Sequence, residues 1–138
     1  MKLTPSRTLA ELTSQHDALR SMMDTCEALA DELDRDPQAD PTPLVREIAR
    51  LRLAFEAHNR FEEQLLRPVL LEHDRHGPVR VERMVEDHVN EHRAIHAQLG
   101  APATAPVAAM LRDVIETLRA HLDAEERYLL TARVLRDA

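Results

Sequence analysis

Residues 44–69 read LVREIARLRLAFEAHNRFEEQLLRPV, a pattern that predicts a helix with one buried face. Its apolar residues recur every three or four positions, which places them on one face of an α-helix. His58 and Glu62 fall on that same face, inside the apolar run. Because burying a histidine and a carboxylate alone is unfavourable, the pair needs a partner. The predicted inward positions are Leu44, Ile48, Leu51, Phe55, His58, Glu62, Leu65 and Val69.

Three breaks at 34–43, 73–78 and 100–106 divide the chain into four segments, each with the same rhythm. The breaks are rich in Pro, Gly, Asp and small polar residues, which end helices and start turns. Short connections between helices of similar length predict an all-α, antiparallel up-down-up-down four-helix bundle. We expect residues 1–138 to form a single domain. Within the second helix, Pro68 predicts a kink or loosening of the last turns. The inward positions of the other helices are Leu9, Leu12, His16, Leu19, Met23 and then Cys26 or Ala30; Val81, Val85, His88, His92, Ile95 and Leu99; and Val107, Leu111, Val114, Leu118, His121, Glu125 and Tyr128.

Charge and composition exclude several classes of protein. The net charge of −7 argues against nucleic-acid binding, which needs a positive face, and against anionic membranes. Cys26 is the sole cysteine, so an internal disulfide is excluded and a reducing compartment fits. The opening MKLTPSRTLAELTSQ lacks a long apolar run, and no stretch reaches the roughly 20 apolar residues of a membrane span. We therefore expect a soluble, cytoplasmic protein.

The polar residues at inward positions form the most informative pattern. HNRFEE at 58–63 has a counterpart in HLDAEE at 121–126, and the third helix contributes His-x-x-x-His. Side chains four residues apart lie one helical turn apart on the same side, so each pair can converge on one point. Five imidazoles and two carboxylates are too many ligands for one ion, and two cations bridged by carboxylates fit the number. Imidazole and carboxylate without thiolate favour iron, with manganese or zinc as the less favoured alternatives. The predicted ligands are His16, His58, Glu62, His88, His92, His121 and Glu125.

The order His, His-x-x-x-Glu, His-x-x-x-His, His-x-x-x-Glu over four helices resembles the hemerythrin-like, or HHE cation-binding, domains. The resemblance extends from His16 to Glu125 and so covers most of the chain. It implies a non-haem di-iron site in which two carboxylates and an oxo or hydroxo group bridge the irons. It also implies that one iron keeps an open position for dioxygen or nitric oxide.

The last ligand departs from the pattern of the oxygen carriers. Those proteins have Asp five residues after the histidine of the fourth helix, a position held here by Glu126. Many bacterial relatives instead use Glu at the fourth residue, which is Glu125. The 3–4 rhythm favours Glu125, since the next residue is rotated by about 100°. Glu126 and Glu63 are then expected to face solvent or to support the ligands from outside, with direct ligation as the alternative.

Four further residues receive a prediction. Tyr128 lies on the inward face and is expected either to reach the metals, as a hydrogen-bond donor or extra ligand, or to be a core tyrosine with its hydroxyl at the bundle end. An alternative register pairs His92 with His96 on the third helix. His73 and His76 lie in a turn signal and are expected at the surface.

These features lead to three functional hypotheses. The first is a di-iron protein that binds or reacts with dioxygen, nitric oxide or peroxide, with a role in sensing or defence against oxidative or nitrosative stress; this role rests on the family resemblance. An oxidase-like or peroxide-consuming activity would need a proton donor near the metals. The alternatives are an iron-binding or buffering protein, and an interaction module that keeps a structural metal and serves an unidentified protein partner.

Overall fold

The computed structural model describes residues 4–99 and 107–137, and it describes the backbone alone at 95–99 and at 107. The predicted four-helix bundle is confirmed, because the described residues form helices and no strand. The contacting pairs of helices are α1 with α2, α1 with α5, α3 with α4, and α4 with α5. A π-helical segment joins α2 to α3 without a break, so these three elements form one of the four units. The elements are α1 Pro5–Arg35, α2 Thr42–Phe61, the π-helical segment Glu62–Leu66, α3 Arg67–His73, α4 Gly77–Leu99 and α5 Val107–Tyr128.

Several predicted features lie outside the described residues. They are the break at 100–106, the inward side chains of Ile95, Leu99 and Val107, and the side chain of His96. The breaks at 34–43 and 73–78 coincide with the ends of helices: α1 ends at Arg35, and α3 is followed by a short turn. None of the helices in the described ranges is both long enough and apolar enough to cross a membrane.

Helix α1 begins at a capped N-terminus. The Thr4 hydroxyl accepts a hydrogen bond from the backbone N–H of Arg7 at 3.3 Å, and Pro5 occupies the first helical position, where a missing N–H costs little. The C-terminal tail reaches the same end of the bundle. There the Asp137 carboxylate accepts hydrogen bonds from the backbone N–H of Ser6 at 2.9 Å and from its hydroxyl at 2.7 Å. The tail therefore satisfies a donor that a helix N-terminus leaves without a partner.

The π-helical segment is the local consequence of Pro68. A proline has no N–H to donate, and its ring would collide with the carbonyl four residues earlier, at Gln64. One turn before this point the helix widens, and the Arg67 N–H bonds to the Glu62 carbonyl, five residues back. The wider turn shifts the apolar face by one residue. Leu66 is therefore fully buried in place of the predicted Leu65.

The turn between α3 and α4 depends on Gly77. A Cβ atom at this position would lie 2.1 Å from the Leu70 carbonyl oxygen and 2.7 Å from the Leu70 carbonyl carbon. Since both atoms belong to the backbone, a side chain could be accommodated only if the turn opened. The close approach therefore fixes how α4 starts against the end of α3.

Two apolar clusters enclose a polar layer in the middle of the bundle. On α1, Leu12 belongs to one cluster and Leu19 to the other, with His16 between them. On the second unit, Phe55 and Leu66 belong to different clusters, and the predicted histidine and glutamate lie between them. The candidate ligands are thus held between two layers of aliphatic side chains that exclude water.

Candidate metal centre

Four buried side chains from three helices form the first donor group. His16, His58, Glu62 and Glu125 each offer one ligand atom, and these atoms lie within 4.8 Å of one another. The His58 Nε2 atom is 2.5 Å from Glu62 Oε1 and 3.5 Å from Glu125 Oε1. The His16 Nε2 atom is 3.3 Å from the same Glu125 oxygen. Two imidazoles and two carboxylates therefore face one small space.

A second donor group lies beside the first and shares Glu125 with it. His88, His121 and Glu125 again offer atoms within 4.8 Å of one another. The distance from His121 Nε2 to Glu125 Oε1 is 3.3 Å, and the distance from His88 Nε2 to Glu62 Oε1 is 3.8 Å. Each of the two carboxylates thus approaches histidines of both groups. The arrangement has the form of two adjacent cation positions with carboxylates between them.

Nine buried nitrogen and oxygen atoms of this layer form no hydrogen bond of good geometry within the described part of the chain. A buried nitrogen or oxygen without a partner costs free energy, and native proteins contain few of them. Their number here is high, and all of them belong to residue types that bind iron, manganese or zinc. These residues fit a pair of cations, which would supply the missing partners. The atoms are both ring nitrogens of His16, both carboxylate oxygens of Glu62, Nε2 of His88, both oxygens of Glu91, Nε2 of His121 and Oε2 of Glu125.

The second glutamate of each His-x-x-x-Glu-Glu motif supports a histidine of another helix. Glu63 Oε1 lies 3.0 Å from Nδ1 of His88, and Glu126 Oε1 lies 3.4 Å from Nδ1 of His16. The Glu63 contact is a hydrogen bond that fixes the ring of His88 and leaves its Nε2 free to face a metal, whereas the Glu126 contact with His16 is an ion-pair distance without a hydrogen bond. Both glutamates are partly exposed, with side-chain exposures of 41% and 35%. The structure thus favours a supporting role outside the inner layer for Glu63 and Glu126, and not direct ligation.

Two further contacts stabilise the same outer layer. The outer nitrogen of His58 lies 2.8 Å from the Gln15 side-chain oxygen, to which its N–H can donate. The Arg20 guanidinium donates to both oxygens of Glu126, at 2.7 and 2.6 Å. This hydrogen bonding lowers the pKa of Glu126 and keeps it an anion beside the ring of His16.

Helix α4 differs from the prediction at one position. His88 is buried as expected, but His92 is exposed, so the predicted inward orientation of His92 is wrong. The inner position is taken by Glu91, which is only 5% exposed and lies 3.2 Å from Nε2 of His121. His92 instead lines a cleft of about 510 Å³ that also contacts Glu63 and His88. The alternative pairing with His96 involves a side chain outside the described residues.

Two inward series of positions on α4 are compatible with the sequence, and one of them includes Glu91. The positions 81, 85, 88 and 92 and the positions 81, 84, 88 and 91 both follow steps of three and four. In the structure Met84 is fully buried and Val85 only partly, so the second series is the inward one. Because residues 84 and 85 are both apolar, and residues 91 and 92 are both possible ligands, the sequence alone does not choose between the two series.

Tyr128 does not belong to either donor group. Its hydroxyl donates to Asp87 Oδ2 at 3.0 Å, and the Arg83 guanidinium carbon lies 3.9 Å from the centre of its ring. Burial raises the pKa of Tyr128 well above its usual range, and the bond to Asp87 adds to the shift. The phenol is therefore a neutral donor held against α4. His73 and His76 are exposed, as predicted.

In the metal-free protein, the pKa values of several inner groups differ from their usual values. Burial alone would lower the pKa of His58, but Glu125 and Glu62 raise it to about 10. The same opposition of burial and carboxylates raises the pKa of His88 to about 9. Burial raises the pKa of Glu91 to about 7 and also raises the pKa of Glu62. Burial has the same tendency at Glu125, where hydrogen bonds with Glu62 and the histidines outweigh it and hold the pKa well below its usual range.

Comparison with known proteins agrees with this geometry. The family profile described as "Hemerythrin HHE cation binding domain" matches residues 7–132, which includes all the residues of both donor groups. Searches of curated proteins and of solved structures find no match. Because the family match covers most of the chain, the protein belongs to the hemerythrin HHE cation-binding family and has a cluster of histidines and glutamates that could hold metal.

Proposed function

We propose that this protein is a non-haem di-iron protein that binds or reacts with dioxygen, nitric oxide or peroxide. The observation that carries the proposal is the membership of Glu125 in both donor groups. A carboxylate that belongs to two adjacent groups is suited to bridge two cations. The donor set contains imidazole and carboxylate but no thiolate, which favours iron over softer metals, with manganese or zinc less favoured. When bound, a pair of irons would supply redox chemistry and an open coordination position.

Access to the centre from the α1–α2 side supports a small, weakly polar ligand. A cavity of about 400 Å³ lies between these helices and reaches His58. Apart from Gln15 and His58, its lining is apolar: Ala18, Leu19, Met22, Ala54, Ala57 and Phe61. Dioxygen and nitric oxide are only weakly hydrated in water, so they lose little hydration energy when they enter such a space. We infer that the ligand reaches the cation held by His16 and His58.

The α2–α4 side has a different chemical character. The cleft on this side ends at His88 and contains charged residues, including Glu63 and Arg93. Because charged side chains line part of this cleft, water and protons can approach Glu63, which contacts the outer nitrogen of His88. Reduction of peroxide or dioxygen consumes protons, which must reach the centre. Reversible carriage of dioxygen instead requires that water and protons from solvent be kept away from it. The cleft therefore supports a reactive or sensing role in oxidative or nitrosative stress more than pure oxygen carriage.

Purified protein loaded with Fe(II) under anaerobic conditions tests the proposal. We expect two irons per chain, and after oxidation a near-ultraviolet absorption typical of an oxo-bridged pair. The spectrum should bleach with dithionite and change on addition of nitric oxide, air or hydrogen peroxide. His58→Ala should abolish iron binding, whereas His73→Ala removes an exposed histidine and serves as the matched control. Iron that binds but does not respond to any of the three ligands would favour the buffering role, and one colourless zinc would favour the structural role.

A further inference from the structure

Glu91 is a buried carboxylate that the predicted ligand set does not include. Its residue exposure is 5%, and within the described ranges neither of its oxygens receives a hydrogen bond. One oxygen faces His121 Nε2, at 3.2 Å, so the side chain points into the layer of candidate ligands. A carboxylate in this position is costly unless something neutralises it.

The surroundings of Glu91 do not neutralise it fully. His121 and His88 attract its negative charge, but Glu125 and Glu62 repel it. Both histidines are also needed as neutral donors if they bind a metal, because an imidazolium must lose one proton before its nitrogen can coordinate. With neutral histidines and two other carboxylates nearby, a cation is the partner that suits Glu91.

The order of residues along the two halves of the chain gives independent support. His16 begins the site on α1 and His88 begins it on α4, and each is held through Nδ1 by the second glutamate of a His-x-x-x-Glu-Glu motif. Three residues after His16 comes Leu19, which is 2% exposed, and three residues after His88 comes Glu91. The third residue after the first histidine of the site therefore faces the interior in both halves.

The next position faces outward in both halves. Four residues after His16 comes Arg20, which is partly exposed and binds Glu126 on the outside of the bundle. Four residues after His88 comes His92, which is exposed. In both halves, the third residue after the first histidine of the site faces inward and the fourth faces outward. The inward residue is leucine in the first half and glutamate in the second.

We propose that Glu91, rather than His92, is a metal ligand and completes the position held by His88 and His121. The inference rests on the proposed two-cation site and changes its composition. The donor set becomes four imidazoles and three carboxylates, in place of five imidazoles and two carboxylates. The additional anionic ligand makes the centre more negative, which favours the ferric state and harder cations. The asymmetry between Leu19 and Glu91 gives the two cations different surroundings.

Glu91→Gln and His92→Ala form the matched pair of variants. Metal content is measured after dialysis, and the affinity for the second cation by anaerobic titration with Fe(II) and separately with Co(II), followed by absorption. We expect Glu91→Gln to retain one cation per chain, or to bind the second at least tenfold more weakly. We expect His92→Ala to retain two cations with an affinity within about twofold of the wild type. Glu91→Asp keeps the carboxylate on a shorter side chain and should recover part of the lost affinity.

Thermal unfolding provides a second measurement that does not depend on activity. Glu91→Gln should have a metal-free Tm equal to or above that of the wild type, because an unsatisfied buried carboxylate is removed, and a smaller increase in Tm on metal loading. This result also shows that the variant folds. Retention of both cations at wild-type affinity by Glu91→Gln, or loss of one cation by His92→Ala, overturns the assignment of Glu91 but leaves the two-cation site intact. Wild-type protein that cannot hold two cations overturns the proposed function and this inference together.

Discussion

Replacing Glu125 with Gln tests the central feature of the site, because this carboxylate belongs to both donor groups. The change preserves the shape of the side chain but removes its charge. Its Oε1 atom lies 3.3 Å from His16, 3.5 Å from His58 and 3.3 Å from His121, so the substitution weakens both cation positions. We expect both cations to be lost.

The size of the effect follows from linkage. At a free metal concentration one hundred times Kd, one bound cation stabilises the folded protein by about 2.7 kcal/mol. A domain of this size gains roughly 3–4 °C in Tm per kcal/mol. The wild type should therefore gain about 8–11 °C for each cation bound under these conditions. Glu125→Gln should gain almost nothing.

Glu126→Gln is the matched control, since this neighbour supports His16 from outside at 3.4 Å. Loss of such an outer contact weakens metal binding by about 10–100-fold. With tenfold weakening the stabilisation at the same metal concentration is still about 1.4 kcal/mol. The assay is differential scanning calorimetry of metal-free and metal-loaded protein, and the increase in Tm on loading is compared. A larger loss in Glu126→Gln than in Glu125→Gln would refute the assignment and indicate that α5 uses the five-residue spacing.

Three other predictions follow from the structure. The raised pKa values of His58 and His88, about 10 and 9, mean that protonation favours the folded metal-free protein. Their contribution to stability is complete below the unfolded pKa of about 6.5 and is lost as pH rises through these values, so the metal-free Tm should fall between pH 6.5 and 10, as measured by circular dichroism. An unchanged Tm across this range would contradict the carboxylate contacts. Gly77→Ala places a Cβ 2.1 Å from the Leu70 carbonyl oxygen, and chemical denaturation should show a loss of about 1–3 kcal/mol. Burial raises the pKa of the Cys26 thiol to about 11, so a thiol-specific dye should react with it only after unfolding; rapid reaction of the native protein would show that α1 opens.

The bundle could be predicted from the sequence because its apolar periodicity is regular and its breaks contain clear turn residues. The inward positions of His16, His58, Glu62 and Glu125 follow from the same periodicity, and the structure buries all four. Their role as metal ligands stays a prediction. Pro68 predicts a kink or loosening of the last turns, but the pattern does not specify its form, a wider turn that shifts the buried residue from 65 to 66.

On helix α4 the sequence pattern does not determine which residues face inward. Two series of positions fit the helical period equally well, and the one that contains the familiar His-x-x-x-His metal motif predicts an inward His92. The difference between them is a rotation of about 100° about the helix axis, which is set by contacts with α3 and α5. The sequence predicts that Glu63 and Glu126 face solvent or support the ligands from outside, but not which histidine each one contacts, because that depends on the distance between two helices.

The crossed support of the histidines has a consequence for how the protein assembles. Glu63, from the first half of the chain, holds a histidine of the second half, and Glu126, from the second half, holds a histidine of the first. The first donor group also takes Glu125 from the second half, so both cation positions are complete only when the two halves have docked. A bound pair of cations would cross-link the two halves, so that release of metal and separation of the halves would be coupled.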